Sequence, residues 1–349
     1  MLFSLLFLSV SVHASTSELA QVTTTDGQKL KAAFMLPSTQ TKAVILILQG
    51  SGNVDLDGDV SGPFLGMPYH NQSGKLSLQL AESLANLGIA TLRFSKRGFD
   101  DATQLPNQKF PFLVNDAESA YQLMLARFPT IKHGVIGFSE GGLVASFLAS
   151  DMPVDALYLL APVTRPIDQV FGYQFIEWPT KLMLNHLTAA QDESISATTI
   201  SKYSDLKLPL IGAPLSSLDA DKDGQISISG ELFPAYQNYY FAVRGLLATP
   251  ALSGWYESLK ALGPYAETAA KIKSPSIYIY QGMDDAQLNW IWTLEDSYSY
   301  PVKPVMHFYP HVGHCFSPMD GMIGEVKTSG PYAPEMLKQL GLDALQSLK

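Results

Sequence analysis

Residues 137–141 read Gly-Phe-Ser-Glu-Gly and stand at the junction of two different sequence patterns. Residues 131–136 are rich in β-branched side chains, which favours a strand, whereas residues 142–149 have a helical composition. A strand that turns this sharply into a helix strains the backbone of Ser139, and side chains at Gly137 or Gly141 would collide across the turn. The serine hydroxyl then stands at a helix N-terminus, where free N–H groups stabilise a negative oxygen. We interpret the stretch as a nucleophile elbow.

An acid and a histidine follow the serine, each in a loop behind a predicted strand. Residues 276–280 alternate as a strand does, and Asp285 comes three residues after a glycine in the next loop. Residues 305–309 form another predicted strand, and His314 follows a glycine in the loop behind it. The chain order serine, aspartate, histidine is typical of triads built on the ends of parallel strands. The sequence therefore predicts Ser139 as nucleophile, His314 as general base and Asp285 as the orienting acid.

Three neighbouring residues are alternatives for these roles. Asp284 could supply the acid, although the spacing from the preceding glycine favours Asp285. His311 could replace His314, but it lies beside a proline and not at the tip of its loop. Cys315 adjoins the expected base and is a weak candidate nucleophile, because the side chains of adjacent residues diverge.

Acyl transfer also needs donors for the oxyanion of its tetrahedral intermediate. We expect one donor to be the backbone N–H of Glu140, directly after the nucleophile. The other is the N–H of Ser51, in the loop behind the apolar run 43–48, where flanking glycines permit a close approach. The mechanism predicted from these residues needs no organic cofactor.

Three further motifs carry a resemblance to a known family. Residues 44–52 read Val-Ile-Leu-Ile-Leu-Gln-Gly-Ser-Gly, residues 55–59 read Asp-Leu-Asp-Gly-Asp, and residues 90–98 end in Lys-Arg-Gly. With the triad, they resemble the α/β-hydrolase superfamily and, within it, a bacterial group of serine aminopeptidase-like and acylaminoacyl-peptidase-like hydrolases and esterases. The chain departs from that pattern at Gln49, where many relatives carry His, and at the Phe-Asp pair of residues 99–100. The resemblance implies an α/β-hydrolase fold and a serine hydrolase.

The order of predicted elements indicates the same fold class, α/β, with a mainly parallel central sheet flanked by helices. Strands and helices alternate along the first half of the chain: strands 43–48, 90–94, 131–136 and 155–160, and helices 76–87 and 112–128. Roughly a hundred residues then precede the strand at 276–280, too many for a simple crossover. We therefore expect a core built from residues 20–162 and 271–349, with an inserted, mainly helical cap at residues 163–270.

The composition and net charge of the chain disfavour some classes of binding partner. The chain has 349 residues, of which 46% are hydrophobic, and this supports one sizeable core. A net charge of −9 argues against nucleic acid or an anionic membrane surface as a partner. We expect a small-molecule ester or a short peptide as substrate, with no nucleic acid and no membrane span.

The first residues resemble an export signal. Residues 2–12 are apolar but too short to cross a bilayer, and Val-His-Ala precedes Ser15 as a signal-peptidase site does. We expect residues 1–14 to be a signal peptide and the protein to be exported, to the periplasm or the medium.

An acidic loop in the predicted cap resembles an EF-hand calcium loop. It places Asp219, Asp221 and Asp223 at alternate positions, with Gln225 able to offer its carbonyl oxygen. The bidentate acid belongs at the twelfth position, but Glu231 lies at the thirteenth. The sequence predicts a structural calcium here; the alternative is a solvated acidic turn.

Carboxylester hydrolysis through an acyl-enzyme is the favoured function. The aromatic-rich cap favours an apolar pocket for an acyl or aryl group. A peptidase acting on short peptides is the alternative, and it needs a group for the peptide amine, such as Asp55, Asp57 or Asp59. A non-enzymatic binding protein is the second alternative; that class usually lacks a triad member, and none is missing here.

Overall fold

The computed structural model describes residues 15–60, 74–178, 180–181, 193–196, 218–317 and 331–349. The predicted signal peptide lies outside the described residues. Within them, no helix is both long and apolar enough to cross a membrane.

The centre of the fold is a sheet of eight strands. The strands of the described chain are β1 Thr16–Thr23, β2 Lys29–Leu36, β3 Ala43–Leu48, β4 Ile89–Phe94, β5 Lys132–Phe138, β6 Ala156–Leu160, β7 Ser194–Ser196, β8 Gln225–Ser227, β9 Ile277–Gly282 and β10 Val305–Tyr309. The sheet order is β1-β2-β4-β3-β5-β6-β9-β10, while β7 and β8 pair separately. The first two pairings, β1 with β2 and β2 with β4, are antiparallel, and the rest of the sheet is parallel.

Helices cover this sheet. They are α1 Leu76–Ala85, α2 Phe110–Arg127, α3 Glu140–Asp151, α4 Ile167–Gly172, α5 Phe233–Leu247, α6 Ser253–Lys260, α7 Tyr265–Ala269, α8 Trp290–Asp296 and α9 Pro334–Ser347, with short 3₁₀ or π turns at Ala102–Asn107, Tyr173–Glu177, Ile228–Leu232 and Ser297–Ser299. Strand β3 shows why helices are needed on both faces. It reads Ala-Val-Ile-Leu-Ile-Leu, and every residue is buried. The predicted α/β fold with a mainly parallel sheet is confirmed.

Between β6 and β9 the chain leaves the sheet, as the cap prediction requires. The described parts of this insertion hold helices α4 to α7 and the small β7–β8 pair. Several of its aromatic side chains are buried among themselves and against the core: Phe171, Tyr173, Phe175, Trp178, Trp255 and Tyr256. They therefore supply much of the insertion's packing. The exact domain boundaries stay a prediction.

The Lys-Arg-Gly turn behind β4 ties the sheet to its surroundings through a buried arginine. The Arg97 side chain is 1% exposed and donates to Asp116 in α2 over 2.8 Å and to Asp26 over 2.9 Å. Hydrogen bonds from Arg97 and Thr24 lower the pKa of Asp26 to about 2. The turn of the β1–β2 hairpin is thus fastened to helix α2.

Candidate active site

The elbow has the strained geometry that its sequence predicts. Ser139 lies between β5 and α3 with φ at +56°, a conformation that residues with a side chain rarely adopt. A Cβ atom on Gly137 would lie 2.3 Å from the carbonyl oxygen of Gly141. One on Gly141 would lie 2.4 Å from the carbonyl oxygen of Leu48. Both positions exclude side chains, the first across the turn and the second because the elbow abuts strand β3.

The predicted acid is buried, and both of its carboxylate oxygens accept hydrogen bonds. Oδ1 of Asp285 accepts the backbone N–H groups of Gln287 over 2.7 Å and Leu288 over 2.9 Å. Oδ2 accepts Nε2 of Gln281 over 2.8 Å and lies 2.9 Å from Nδ1 of His314. The carboxylate is therefore held in one orientation, with one oxygen committed to the histidine.

The predicted base is held by contacts on two sides. His314 is 4% exposed, and its ring packs on Phe138 with 5.0 Å between ring centroids. Because the Asp285 carboxylate accepts from Nδ1, the other ring nitrogen, Nε2, is left to accept a proton. His314 and Ser139 line the same cavity.

The alternative acid and base form a second pair, outside this cavity. Nδ1 of His311 lies 3.5 Å from a carboxylate oxygen of Asp284, and the two side chains are 79% and 39% exposed. Neither residue lines the cavity that holds Ser139. The structure thus separates two acid–histidine pairs, one buried and one on the surface.

Cys315 is buried and lines the cavity beside His314. Burial, and secondarily the Asp285 charge, raise the pKa of its thiol well above the usual value. The thiol therefore stays neutral, which disfavours it as a nucleophile.

Both predicted oxyanion donors flank the serine. Glu140 is the first residue of α3, and Ser51 lines the cavity from the loop behind β3. That loop lies directly on the elbow, since a Cβ atom on Gly50 would be 3.3 Å from the Cβ of Ser139. Glu140 and Ser51 therefore both lie close to the nucleophile, and their role as oxyanion donors stays a prediction.

The cavity above Ser139 is mainly apolar. Its walls include the aliphatic and aromatic side chains of Val54, Leu80, Ile167, Val170, Phe171 and Leu288. Gln49, Gln174 and Gln287 supply neutral polar groups. Among the described residues that line it, Asp, Glu, Lys and Arg are absent. The cavity thus suits an uncharged, mostly apolar group.

Sequence reasoning missed the residues that support the acid. Gln281 is fully buried and takes a hydrogen bond on Oε1 from Thr293, 3.1 Å away, while its Nε2 reaches Asp285. The hydroxyl of Tyr173, from the insertion, donates to the Asp285 carbonyl oxygen over 3.0 Å. The available signal was a glutamine near the end of an otherwise apolar strand, β9.

The three aspartates of the acidic loop near the cavity form hydrogen bonds and an ion pair with other protein groups. Oδ1 of Asp55 accepts the backbone N–H groups of the next turn, those of residues 57, 58 and 59, each over 2.9 Å. Asp57 pairs with Arg93 over 3.0 Å, and Asp59 accepts the N–H of Lys75 over 2.8 Å. One oxygen of each of the three carboxylates therefore supports the loop or its neighbour.

The acidic loop of the cap gathers its aspartates. One carboxylate oxygen from each of Asp219, Asp221 and Asp223 lies within 4.8 Å of the other two. Glu231 accepts the N–H groups of Ala220 over 2.6 Å and residue 227 over 2.9 Å, and these bonds lower its pKa. Glu231 thus braces the loop from within.

Gln225, the remaining predicted ligand, follows directly in β8. Its backbone N–H donates to Asp223 over 2.7 Å. Whether Asp219, Asp221, Asp223, Gln225 and Glu231 hold calcium stays a prediction.

Comparisons with known proteins give a matching family profile and a curated relative. The profile of the family described as "Serine aminopeptidase, S33" matches residues 69–206, which include the elbow. Esterase EstD of Thermotoga maritima is 29% identical over 133 residues, which make up 37% of this chain and only 29% of that esterase.

Solved structures share the whole fold. A dienelactone hydrolase from Anabaena variabilis superposes with a TM-score of 0.51 at 12% identity, covering 97% of this chain and 100% of its own. The acylaminoacyl peptidase of Pyrococcus horikoshii superposes with a TM-score of 0.53 at 12% identity, covering 97% of this chain and 42% of its own. The α/β-hydrolase fold expected from the motifs is confirmed, and residues 69–206 are similar to the serine aminopeptidase S33 family.

Proposed function

We propose that the protein is a serine hydrolase that cleaves neutral carboxylic esters through an acyl-enzyme on Ser139. The observation that carries this proposal is the cavity over Ser139, whose described lining is mainly apolar and free of Asp, Glu, Lys and Arg. The relative from Thermotoga maritima is named an esterase, which agrees with an ester as substrate.

In the proposed reaction, His314 accepts the Ser139 proton on Nε2 as the serine oxygen attacks the ester carbonyl. Asp285 holds Nδ1 over 2.9 Å, which fixes the tautomer and stabilises the imidazolium that forms. The imidazolium then returns the proton to the leaving alcohol. A water molecule, activated by the same base, releases the acid from Ser139.

The negative oxygen of each tetrahedral intermediate needs donors on the side opposite the leaving group. The backbone N–H groups of Glu140 and Ser51 are proposed for this role because they flank the nucleophile. Their peptides stay fixed during the reaction, so little reorganisation is required when charge develops.

The peptidase alternative lacks a recognisable amine site in the described cavity. An aminopeptidase needs an anionic group for the substrate's free amine, and a carboxylate is the usual choice. The carboxylates of Asp55, Asp57 and Asp59 instead bind Arg93 and the backbone of their own loop and its neighbour. A binding protein without activity is disfavoured because Ser139 and His314 line one cavity and Asp285 lies 2.9 Å from Nδ1 of His314.

Steady-state kinetics on two matched substrate series test the proposal. We expect p-nitrophenyl esters of neutral acids to be hydrolysed with a kcat/KM at least about a hundredfold above that of aminoacyl p-nitroanilides. Esters of succinic acid, with a free carboxylate, should be poor substrates because an unpaired charge would enter an apolar cavity. Preference for the aminoacyl anilides would overturn the ester assignment in favour of the aminopeptidase. Export and the cap calcium remain separate proposals.

A further inference from the structure

A buried lysine contacts both sides of the elbow. Lys96 follows β4, and its side chain is only 9% exposed. Its ammonium nitrogen donates to the Glu140 carboxylate over 2.5 Å and to the carbonyl oxygen of Gly50 over 3.0 Å. One cation therefore contacts the residue after the nucleophile and the residue before Ser51.

The contact to Gly50 acts on the next peptide N–H through covalent geometry. The Gly50 carbonyl and the Ser51 N–H belong to one planar trans peptide group, so they point to opposite sides of it. Holding the carbonyl toward Lys96 therefore fixes the direction of the Ser51 N–H. A positive charge on the carbonyl also polarises the peptide, which makes its N–H a stronger donor.

The contact to Glu140 reaches the other proposed donor. The Glu140 side chain is buried, and its second carboxylate oxygen accepts the indole N–H of Trp255 in helix α6 of the insertion. The carboxylate is thus held by Lys96 from the core and by Trp255 from the cap. Both bonds restrain the residue whose backbone N–H is the other proposed oxyanion donor.

We propose that Lys96 is a positioning residue that aligns the Ser51 and Glu140 N–H groups as an oxyanion hole. The inference rests on the proposed function, because the oxyanion exists only if Ser139 attacks an acyl carbonyl. A salt bridge that only stabilised the fold would need no contact with the Gly50 carbonyl, and its loss would not act selectively on the transition state.

Lys96→Met tests this role, since it removes the charge and the donor while retaining the length of the side chain. We expect kcat on a p-nitrophenyl ester to fall by about 10- to 100-fold, less than or equal to the loss of one direct oxyanion donor. KM should stay within about twofold, because the ground-state ester does not use these contacts fully. Affinity for a trifluoromethyl ketone, which forms a tetrahedral adduct on the serine, should fall in parallel with kcat/KM.

A second variant guards against misfolding. Lys96→Met leaves the Glu140 carboxylate buried without its cation, which destabilises the fold. The double variant Lys96→Met/Glu140→Gln removes both charges, so it should recover melting temperature while kcat stays low. Lys31→Met is the matched control, since it removes an exposed lysine that pairs with Asp100, and neither of these residues lines the cavity. It should keep full activity.

The outcomes distinguish a failure of the positioning role of Lys96 from a failure of the proposed hydrolysis on Ser139. A folded double variant with wild-type kcat and wild-type ketone affinity would overturn the positioning role. If Ser139→Ala lacks activity in the same assay, that result leaves the proposed function standing. If Ser139→Ala retains full activity, the proposed function and the positioning role fail together.

Discussion

Two loops of this molecule hold carboxylates in different ways. In the triad loop, each oxygen of Asp285 is directed at hydrogen-bond donors of the protein: two backbone amides, a glutamine and the histidine. In the cap loop, Asp219, Asp221 and Asp223 each accept only one backbone N–H from the described residues, and one carboxylate oxygen from each lies within 4.8 Å of the other two. The first arrangement is complete with protein groups alone, whereas the second concentrates negative charge.

The difference shows that the groups around the oxygens of a carboxylate, hydrogen-bond donors or other charges, indicate its role. A buried charge persists only with fixed donors around it, and those donors also fix its orientation. Converging charges at the surface are partly screened by solvent, but their repulsion is relieved fully only by a cation. We therefore expect substitution of Asp285 to affect the rate of hydrolysis and substitution of Asp221 to affect stability.

Ser139→Ala should have the largest effect, because the triad acts as a unit around the nucleophile. We expect hydrolysis of p-nitrophenyl esters to fall by about a thousandfold or more. Circular dichroism and melting temperature should stay near those of the parent, since one hydroxyl adds little to the packing of the elbow. Wild-type activity in this folded variant would end the assignment.

The two adjacent aspartates provide a matched pair for the second prediction. Asp285→Asn should lower kcat by about 100- to 10,000-fold, because an amide cannot fix the histidine tautomer in the same way. Asp284→Asn changes a partly exposed residue that faces His311 on the surface, so its kcat should stay within about twofold. Steady-state kinetics of both variants gives the ranking. The reverse ranking would move the acid one residue upstream.

Of the changes considered, calcium should have the smallest effect, and it should alter the stability of the fold but not the rate of hydrolysis. A loop with its bidentate acid out of register belongs with weak sites, whose dissociation constants are about 0.1 to 1 mM. At ten times the dissociation constant, binding to the native state adds about 1.4 kcal/mol to the free energy of unfolding. Melting curves with calcium and with a chelator should differ by a few degrees or less, while kcat is unchanged.

The control for this measurement is another exposed acid. Asp221→Ala should lose the melting response to calcium, whereas Asp151→Ala, at the end of α3, should keep it. An unchanged response in Asp221→Ala would reduce the loop to an ordinary acidic turn.

The sequence predicted the parts of the site that depend on local pattern. The elbow could be inferred because glycines at 137 and 141 and a strand–helix junction are adjacent in the chain, and parallel strands bring their carboxyl ends together. The support around the acid could not, because Gln281 and Tyr173 reach Asp285 only after the sheet and the insertion have packed. The role of Lys96 could not be predicted from its motif either. Its partners Gly50 and Glu140 follow other strands and are distant from it in the sequence.

The central claim, an acyl-enzyme on Ser139, is tested most directly by covalent labelling with a fluorophosphonate and mapping of the modified peptide by mass spectrometry. We expect one stoichiometric adduct on Ser139 and a loss of ester hydrolysis in proportion to labelling. The Asp285→Asn variant should be labelled much more slowly than the parent. An adduct on Cys315 or on another serine that abolishes hydrolysis, or full hydrolysis by protein labelled at Ser139, would contradict it.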